Sequence, residues 1–122
     1  MTINSRDKGA KAEREYRNLL RTIGCTDARR GCQHSGGPDS PDVECGIPGT
    51  HVEVKRTERL RIYEAMQQAV RDSGLAEVPY VAHRRNHGIW LVTMRHRDLM
   101  RMARCIAAIE DKPIYPIGEG DG

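Results

Sequence analysis

Residues 51–56 carry the most restrictive pattern in the chain, an alternation of apolar and charged side chains. Val52 and Val54 alternate with Glu53 and Lys55, and successive side chains of a β-strand point to opposite faces of its sheet. A strand at this position therefore directs both valines into a core. It also holds the carboxylate and the ammonium together on the other face.

A Gly/Pro turn at 46–49 precedes this strand and follows a second short strand expected at 42–45. Such a turn folds the preceding strand back, which brings Asp42 alongside Glu53 on the same side. The sequence therefore predicts two carboxylates and one ammonium on the rim of a single sheet.

Helical and strand periodicities along the rest of the chain predict an α/β fold, in the order α-β-β-β-α-β-β-α, with a mixed central sheet flanked by helices. The hairpin turn between the last two strands is expected at 86–88. The predicted elements are a helix at 8–23, strands at 28–33, 42–45 and 51–56, a helix at 59–73, strands at 80–84 and 89–95, and a helix at 97–109. The side chains expected to be buried on the three helices are Ala12, Tyr16, Leu19, Leu20 and Ile23, then Ile62, Tyr63, Met66, Ala69 and Val70, then Leu99, Met102, Ala103 and Ile106.

The charge of the chain is unevenly distributed. The net charge is +3, but residues 110–122 hold four carboxylates and one lysine, which leaves an excess of six positive charges in residues 1–109. Sixteen of the twenty basic residues are arginine, whose planar guanidinium suits bidentate contact with phosphate. This balance is consistent with a nucleic-acid partner, and equally with a solvated arginine-rich surface.

Four cysteines raise the question of a zinc site. Cys25, Cys32, His34 and Cys45 lack the closely paired ligand spacing of structural zinc sites. We therefore favour ordinary reduced thiols over a metal centre.

Asp42, Glu53 and Lys55 are the candidates for chemistry. Phosphodiester cleavage uses hard oxygen ligands for Mg²⁺ and a positive group near the attacking water or the developing charge. The alternative interpretation is a solvated face, because charged pairs are common on exposed strands. Asp39 follows a second proline, but it lies within a Gly-rich stretch, so Asp42, which opens a strand, is preferred.

The first helix adds Glu13, which lies at the border of the buried stripe on a helical wheel. A carboxylate at a buried border is unfavourable unless a partner or a metal is close. The alternative is a glutamate that reaches solvent from the edge of the stripe.

These residues resemble a known family. The helix segment Lys8-Gly9-Ala10-Lys11-Ala12-Glu13-Arg14-Glu15, then Asp42-Val43 and Glu53-Val54-Lys55, is similar to the archaeal Holliday-junction resolvases and their phage relatives, which are PD-(D/E)xK nucleases. The similarity follows the element order over about residues 8–95. It implies a restriction-endonuclease-like core and a metal-dependent endonuclease that acts on branched DNA.

The resemblance also assigns roles to residues. Glu13, Asp42 and Glu53 become metal-site carboxylates and Lys55 the catalytic lysine, with the main-chain carbonyl of Val54 as a further ligand. The implied cofactor is Mg²⁺, with Mn²⁺ as a substitute. The chain departs from the archaeal pattern in its Cys/His-rich loop and in the 81–86 hairpin, which bears on junction selectivity more than on nuclease chemistry.

Weaker candidates for DNA contact surround this site. Ser35 lies in the loop at 31–41, and Gln67 is expected on the side of the second helix that faces the metal. Five arginines lie on strands and hairpins near the predicted active edge, where they are expected to contact phosphates: Arg29, Arg30, Arg56, Arg84 and Arg85. Each of these residues has solvated surface as its alternative.

We expect one nuclease domain at 1–111, a loose acidic tail at 112–122, and a cytoplasmic protein of a bacterial, archaeal or phage-infected cell. A homodimer is expected because resolving a four-way junction needs two matched nicks. Its candidate contact surfaces are the last helix and the strand at 89–94. Two alternatives remain open: a nicking or repair nuclease without junction preference, and a non-catalytic DNA-binding protein on the same fold.

Overall fold

The computed structural model describes residues 5–31 and 41–109. Three helices and five strands follow one another in the predicted order. The elements are α1 (Ser5–Thr22), β1 (Arg29–Arg30), β2 (Val43–Glu44), β3 (Thr50–Arg56), α2 (Ile62–Asp72), β4 (Val78–Arg84), β5 (Leu91–Met94) and, after a 3₁₀ turn (His96–Asp98), α3 (Leu99–Ala107). The mixed α/β class is confirmed and is consistent with a restriction-endonuclease-like core.

The main sheet has three strands in the order β3-β4-β5. β3 and β4 are parallel, with Glu53 opposite Val81, and α2 forms the crossover between them. β5 returns antiparallel to β4 after the hairpin, with Val81 opposite Thr93. The central strand β4 is buried from Val78 to Ala82, as expected for a strand covered on both faces.

The pairing of the second strand differs from a simple hairpin. β2 pairs antiparallel with β1 in a separate two-stranded sheet, with Arg29 opposite Glu44. The turn still folds the chain back, since the Asp42 backbone N–H donates to the Val52 carbonyl at 3.1 Å. The predicted neighbourhood of Asp42 is therefore confirmed, although the strand after it pairs elsewhere.

Two apolar clusters hold the sheet between helices. On one side Ala12, Tyr16 and Leu20 of α1 belong to the same buried cluster as Val52 and Val54 of β3. The second cluster joins the buried side chains of α2 to β4, and its members are Ala65, Met66, Ala69 and Val81. The alternation of β3 thus places its valines and its charged side chains on opposite faces, as predicted.

Several helix positions expected in the core are exposed. Tyr63 on α2 keeps 83% of its surface in solvent, and Leu99, Ala103 and Ile106 on α3 are also exposed. Leu19 and Ile23 at the end of α1 lie at the border of exposure. The reason is that α2 and α3 each contact the core through one narrow stripe, with Met102 alone fully buried on α3.

The predicted loop at 34–40 and the predicted tail at 112–122 lie outside the described residues, so the domain boundary stays a prediction. Within the described part of the chain, none of the helices combines the length and apolar character that a membrane span requires.

A buried ion-pair cluster fixes the start of α3. Asp98 is 1% exposed, and its two carboxylate oxygens accept from Arg95 Nε and Arg101 Nη1, both at 2.9 Å. Burial raises the pKa of Asp98, but the hydrogen bonds and charges of the two arginines outweigh burial, so the pKa lies below its ordinary value. The ionised form therefore stabilises the fold.

We predict that Asp98→Asn lowers the free energy of unfolding by about 1–2 kcal/mol at pH 7, since it removes a doubly paired charge whose arginines remain partly in water. Because the folded pKa is depressed, this contribution is present above about pH 4 and is lost as the pH falls through the folded value. Urea unfolding at pH 7 and pH 3 measures the difference.

The matched control is Glu64→Gln, which removes the carboxylate of the exposed Arg61–Glu64 pair. Equal effects of the two substitutions at pH 7 would show that the Asp98 cluster contributes nothing specific.

Candidate active site

The free edge of β3 is closed by Asp42. Its backbone N–H donates to the Val52 carbonyl, and its Oδ2 accepts the Val54 backbone N–H at 2.8 Å. These two bonds continue the backbone hydrogen bonding at the edge of β3 that is not paired with another strand among the described residues. The Asp42 carboxylate is thereby fixed beside Glu53, which precedes Val54 on the same strand.

Glu53 and Lys55 are joined by one side chain from α2. Gln68 Nε2 donates to Glu53 Oε1 at 3.2 Å, and Lys55 Nζ donates to Gln68 Oε1 at 3.1 Å. Glu53 itself is 3% exposed. A carboxylate and an ammonium two residues apart on β3 thus share one face and one bridging amide.

Gln67 does not face Glu53 and Lys55 as expected, because the neighbouring Gln68 lies there, and its contact with DNA stays a prediction. Gln67 is exposed and lines a groove between α2 and the end of β5. Successive residues of an α-helix are separated by about 100° of rotation, so an error of one position moves a side chain to a different face.

His51 makes a further contact with Glu53. It is fully buried, with Nε2 3.4 Å from Glu53 Oε2 and Nδ1 3.6 Å from Glu77 Oε1. Neither ring nitrogen has a hydrogen bond of full geometry among the described residues. Burial lowers the pKa of His51, but Glu53 and then the charges of Glu77 and Asp72 outweigh burial and leave the pKa above its ordinary value. Strand alternation, which places His51 on the Glu53 face, was the signal that pointed to this contact.

Asp42 has the most perturbed carboxyl group of the site. Burial and then the charge of Glu53 raise its pKa to about 7; Glu13 adds to the rise, while the Val54 hydrogen bond and Lys55 oppose it. Two crowded carboxylates in a partly dry position repel each other, and a cation would relieve that repulsion. A shift of this origin is typical of functional sites.

Glu13 approaches this pair from α1 but is already engaged. Its Oε1 accepts from Arg30 Nε at 2.9 Å, and its side chain is 16% exposed. The structure therefore brings Glu13 close enough to raise the pKa of Asp42, yet ties it to Arg30. Its role as a metal ligand stays a prediction.

Most of the arginines predicted to contact DNA pair with carboxylates of the chain. Arg29 contacts Glu44 at 3.3 Å, and Arg30 contacts Glu13. Arg56 and Arg84 converge on Glu15 at 3.5 and 3.0 Å. Arg85 is exposed. Ser35 lies outside the described residues.

The oxygen donors that the site offers to a metal ion are the carboxylates of Asp42 and Glu53. The described residues contain no group of three or more His, Cys, Asp or Glu side chains arranged to hold an ion. Mg²⁺ commonly binds through only one or two carboxylates, with water and substrate phosphate completing its shell, so Asp42 and Glu53 fit it chemically. Cys25, Cys45 and Cys105 are free thiols, in line with the reduced state expected for them.

We predict that Asp42→Asn stabilises the metal-free protein at pH 8 by on the order of a few kcal/mol, because it removes a charge whose burial is unfavourable. A raised folded pKa means that the stabilising protonated form is fully present below about pH 4 and is lost as the pH rises through about 7. The gain in stability from Asp42→Asn should therefore fall to about zero at pH 4.

Thermal unfolding in a chelator at pH 4 and pH 8 measures this effect. The substitution keeps the local structure, because the asparagine oxygen still accepts the Val54 N–H. The control is Asp27→Asn at an exposed site in the turn after α1. Destabilisation of Asp42→Asn at pH 8 would mean that the ionised carboxylate is favourable in the metal-free fold.

Comparison with known proteins agrees with this geometry. The model of the family described as archaeal Holliday junction resolvase matches residues 4–114, which is most of the chain. Neither the search of curated proteins nor that of solved structures gave a match. The family's members are nucleases of branched DNA. A match of this extent shows that the chain belongs to the archaeal Holliday junction resolvase family, within the PD-(D/E)xK nuclease superfamily.

Proposed function

We propose that this chain is a divalent-metal-dependent endonuclease that hydrolyses phosphodiester bonds in branched DNA, with Asp42, Glu53 and Lys55 as its catalytic residues. Mg²⁺ is the proposed ion, and Mn²⁺ is expected to substitute for it. The observation that supports this most strongly is that the Val54 N–H holds the Asp42 carboxylate beside the buried Glu53 at the edge of β3, a crowding that also raises the pKa of Asp42.

The two carboxylates are the proposed ion ligands. Their oxygens are hard donors, and Asp42 and Glu53 are held by different partners, the Val54 N–H and the Gln68 amide. A divalent cation bound there would supply Lewis acidity to the attacking water and neutralise charge on the phosphate. Glu13 and the Val54 carbonyl are proposed as further ligands, and for Glu13 the Arg30 contact would have to leave one oxygen available.

Lys55 is proposed to stabilise charge at the reacting phosphate. It lies on the Glu53 face of β3, and its only hydrogen-bond partner among the described residues is the neutral Gln68 oxygen. An ammonium that is not neutralised by a carboxylate retains its full charge for an anionic transition state. Gln68 then acts as the positioning residue for both Lys55 and Glu53.

We predict that the protein nicks a four-way junction only when Mg²⁺ or Mn²⁺ is present, and that Asp42→Ala or Glu53→Ala abolishes nicking. Lys55→Ala should slow the cleavage step by about a hundredfold or more, as expected for loss of one oriented electrostatic group. Single-turnover cleavage of a labelled junction, with linear duplex as comparison, measures both effects.

Glu64→Ala is the control, because that carboxylate lies on the exposed face of α2 and, among residues 5–31 and 41–109, pairs only with Arg61. Full activity of Asp42→Ala with Mg²⁺ would rule out this site. Equal cleavage of junction and linear duplex would support the proposed nuclease activity but contradict the proposed preference for junctions.

The proposal includes a homodimer, because one active site cuts one strand and a two-fold dimer supplies two equivalent sites. Two exposed apolar surfaces are available for it. One is a groove of about 660 Å³ between α2 and β5, lined by Ile62, Tyr63 and Met66 among others, beside the edge strand β5. The other is the outer face of α3, where Leu99 and Met100 are exposed.

We predict that light scattering gives the mass of two chains at micromolar concentration and that Tyr63→Glu shifts the protein to a monomer, since a charge would be buried in the proposed contact. Met100→Glu tests the α3 face in the same way. Leu75→Glu, at a fully exposed loop position, is the control. A wild-type monomer that cuts both strands of the junction would refute the dimer.

A further inference from the structure

Two arginines near the catalytic strand have no partner in the described part of the chain. Arg59 and Arg85 are exposed, and no carboxylate or hydrogen-bond acceptor among residues 5–31 and 41–109 contacts their guanidinium groups. In contrast, Arg56 and Arg84 beside them share the Glu15 carboxylate. Among these four arginines, Arg59 and Arg85 are therefore the two whose guanidinium groups have no carboxylate partner in the described part of the chain.

These two arginines line one groove. It has a volume of about 440 Å³ and lies between the β3–α2 connection, which carries Arg59, and the β4–β5 hairpin, which carries Arg85. His83 and Leu91 are also in its lining. Because His83 is the register partner of Lys55 on the neighbouring parallel strand, the groove begins directly beyond the proposed catalytic lysine.

Hydrogen bonds tie the two walls of the groove together. The Asn86 backbone N–H donates to Glu58 Oε2 at 2.6 Å, and the Thr57 N–H donates to the Arg84 carbonyl at 3.2 Å. Arg56 Nε also donates to Asn86 Oδ1 at 3.3 Å. Arg59 and Arg85 thus extend from two segments that are hydrogen-bonded to each other. Glu58, the acidic residue of the lining, accepts a hydrogen bond from the hairpin.

The chemistry of the groove fits a phosphodiester backbone. Two unneutralised guanidinium groups present donors that suit phosphate oxygens. Ile89 and Leu91 in the same lining are 77% and 50% exposed and offer apolar contact to sugar faces. A purely anionic small molecule would gain nothing from those side chains, whereas a nucleic-acid strand uses both.

We propose that this groove holds the phosphate backbone of one arm of the DNA substrate beyond the cleavage site, with Arg59 and Arg85 as its phosphate contacts. The inference rests on the DNA partner of the proposed function, but not on which residues cut. It assigns a binding role to the hairpin at which this chain departs from the archaeal pattern.

The test is fluorescence anisotropy of a labelled four-way junction in chelator, which prevents cleavage, over a series of salt concentrations. The double variant R59Q/R85Q should reduce the slope of log Kd against log salt by about two, since each lost phosphate contact lowers it by about one. The affinity should fall for junction and linear duplex alike, because each arm of a junction presents the same phosphate backbone as a linear duplex.

The control is R97Q/R104Q, which removes the same charge at two exposed positions outside the groove. A larger slope change in R59Q/R85Q than in the control supports the groove. An unchanged slope in R59Q/R85Q, or equal changes in both, overturns it. Thermal unfolding of each variant establishes that it is folded. Since no cutting is measured, inactivity of the wild type with Mg²⁺ would refute the proposed catalytic site without changing this result.

Discussion

The hydrogen bonds between Asp42 and the edge of β3 determine the arrangement of this molecule's candidate site. Without them β3 would end the sheet with unpaired backbone groups, and Asp42 would belong only to the connection before β2. With them, a carboxylate is held next to Glu53 where water is partly excluded. The same contact that completes the sheet therefore produces the electrostatic repulsion at the site.

That repulsion links stability with function. A metal-free fold that carries Asp42 and Glu53 both ionised is strained electrostatically, and the raised pKa of Asp42 measures the strain. Gln68 Nε2 donates to one oxygen of Glu53, and His51 Nε2 lies 3.4 Å from the other. Among the described residues, the Asp42 carboxylate accepts one hydrogen bond, from the Val54 N–H. Selection for fold stability alone would favour a neutral residue at position 42, so the retained charge fits a functional need.

The arginines divide into two groups with different consequences. Arg30, Arg56 and Arg84 are partly buried and paired with glutamates of α1, so they join α1 to the strands. Arg84 also lies over the Trp90 ring, 5.9 Å from its centroid. Removing these residues would disturb packing as well as charge, whereas Arg59 and Arg85 can be changed with little structural effect.

Short-range patterns in the sequence predicted the parts of the fold that depend on period. The alternation at 51–56 placed Glu53 and Lys55 on one face, and the helical spacing of Ala12, Tyr16 and Leu20 identified the core side of α1. The choice between Gln67 and Gln68, and the pairing of β2 with β1, depend on contacts between elements distant in sequence. Periodicity carries no information about those contacts, and a charged residue such as Glu15 looks solvated until its partners on β3 and β4 are known.

The central claim is that Asp42 and Glu53 bind one divalent ion. Fe²⁺ placed in a Mg²⁺ site generates hydroxyl radicals with peroxide and ascorbate, and these cut the nearest peptide bonds. The account predicts cuts next to residues 42 and 53, suppressed by excess Mg²⁺ and absent in Asp42→Asn, with the fragments identified by mass spectrometry. Fragments that arise elsewhere, or the same fragments in Asp42→Asn, would contradict it.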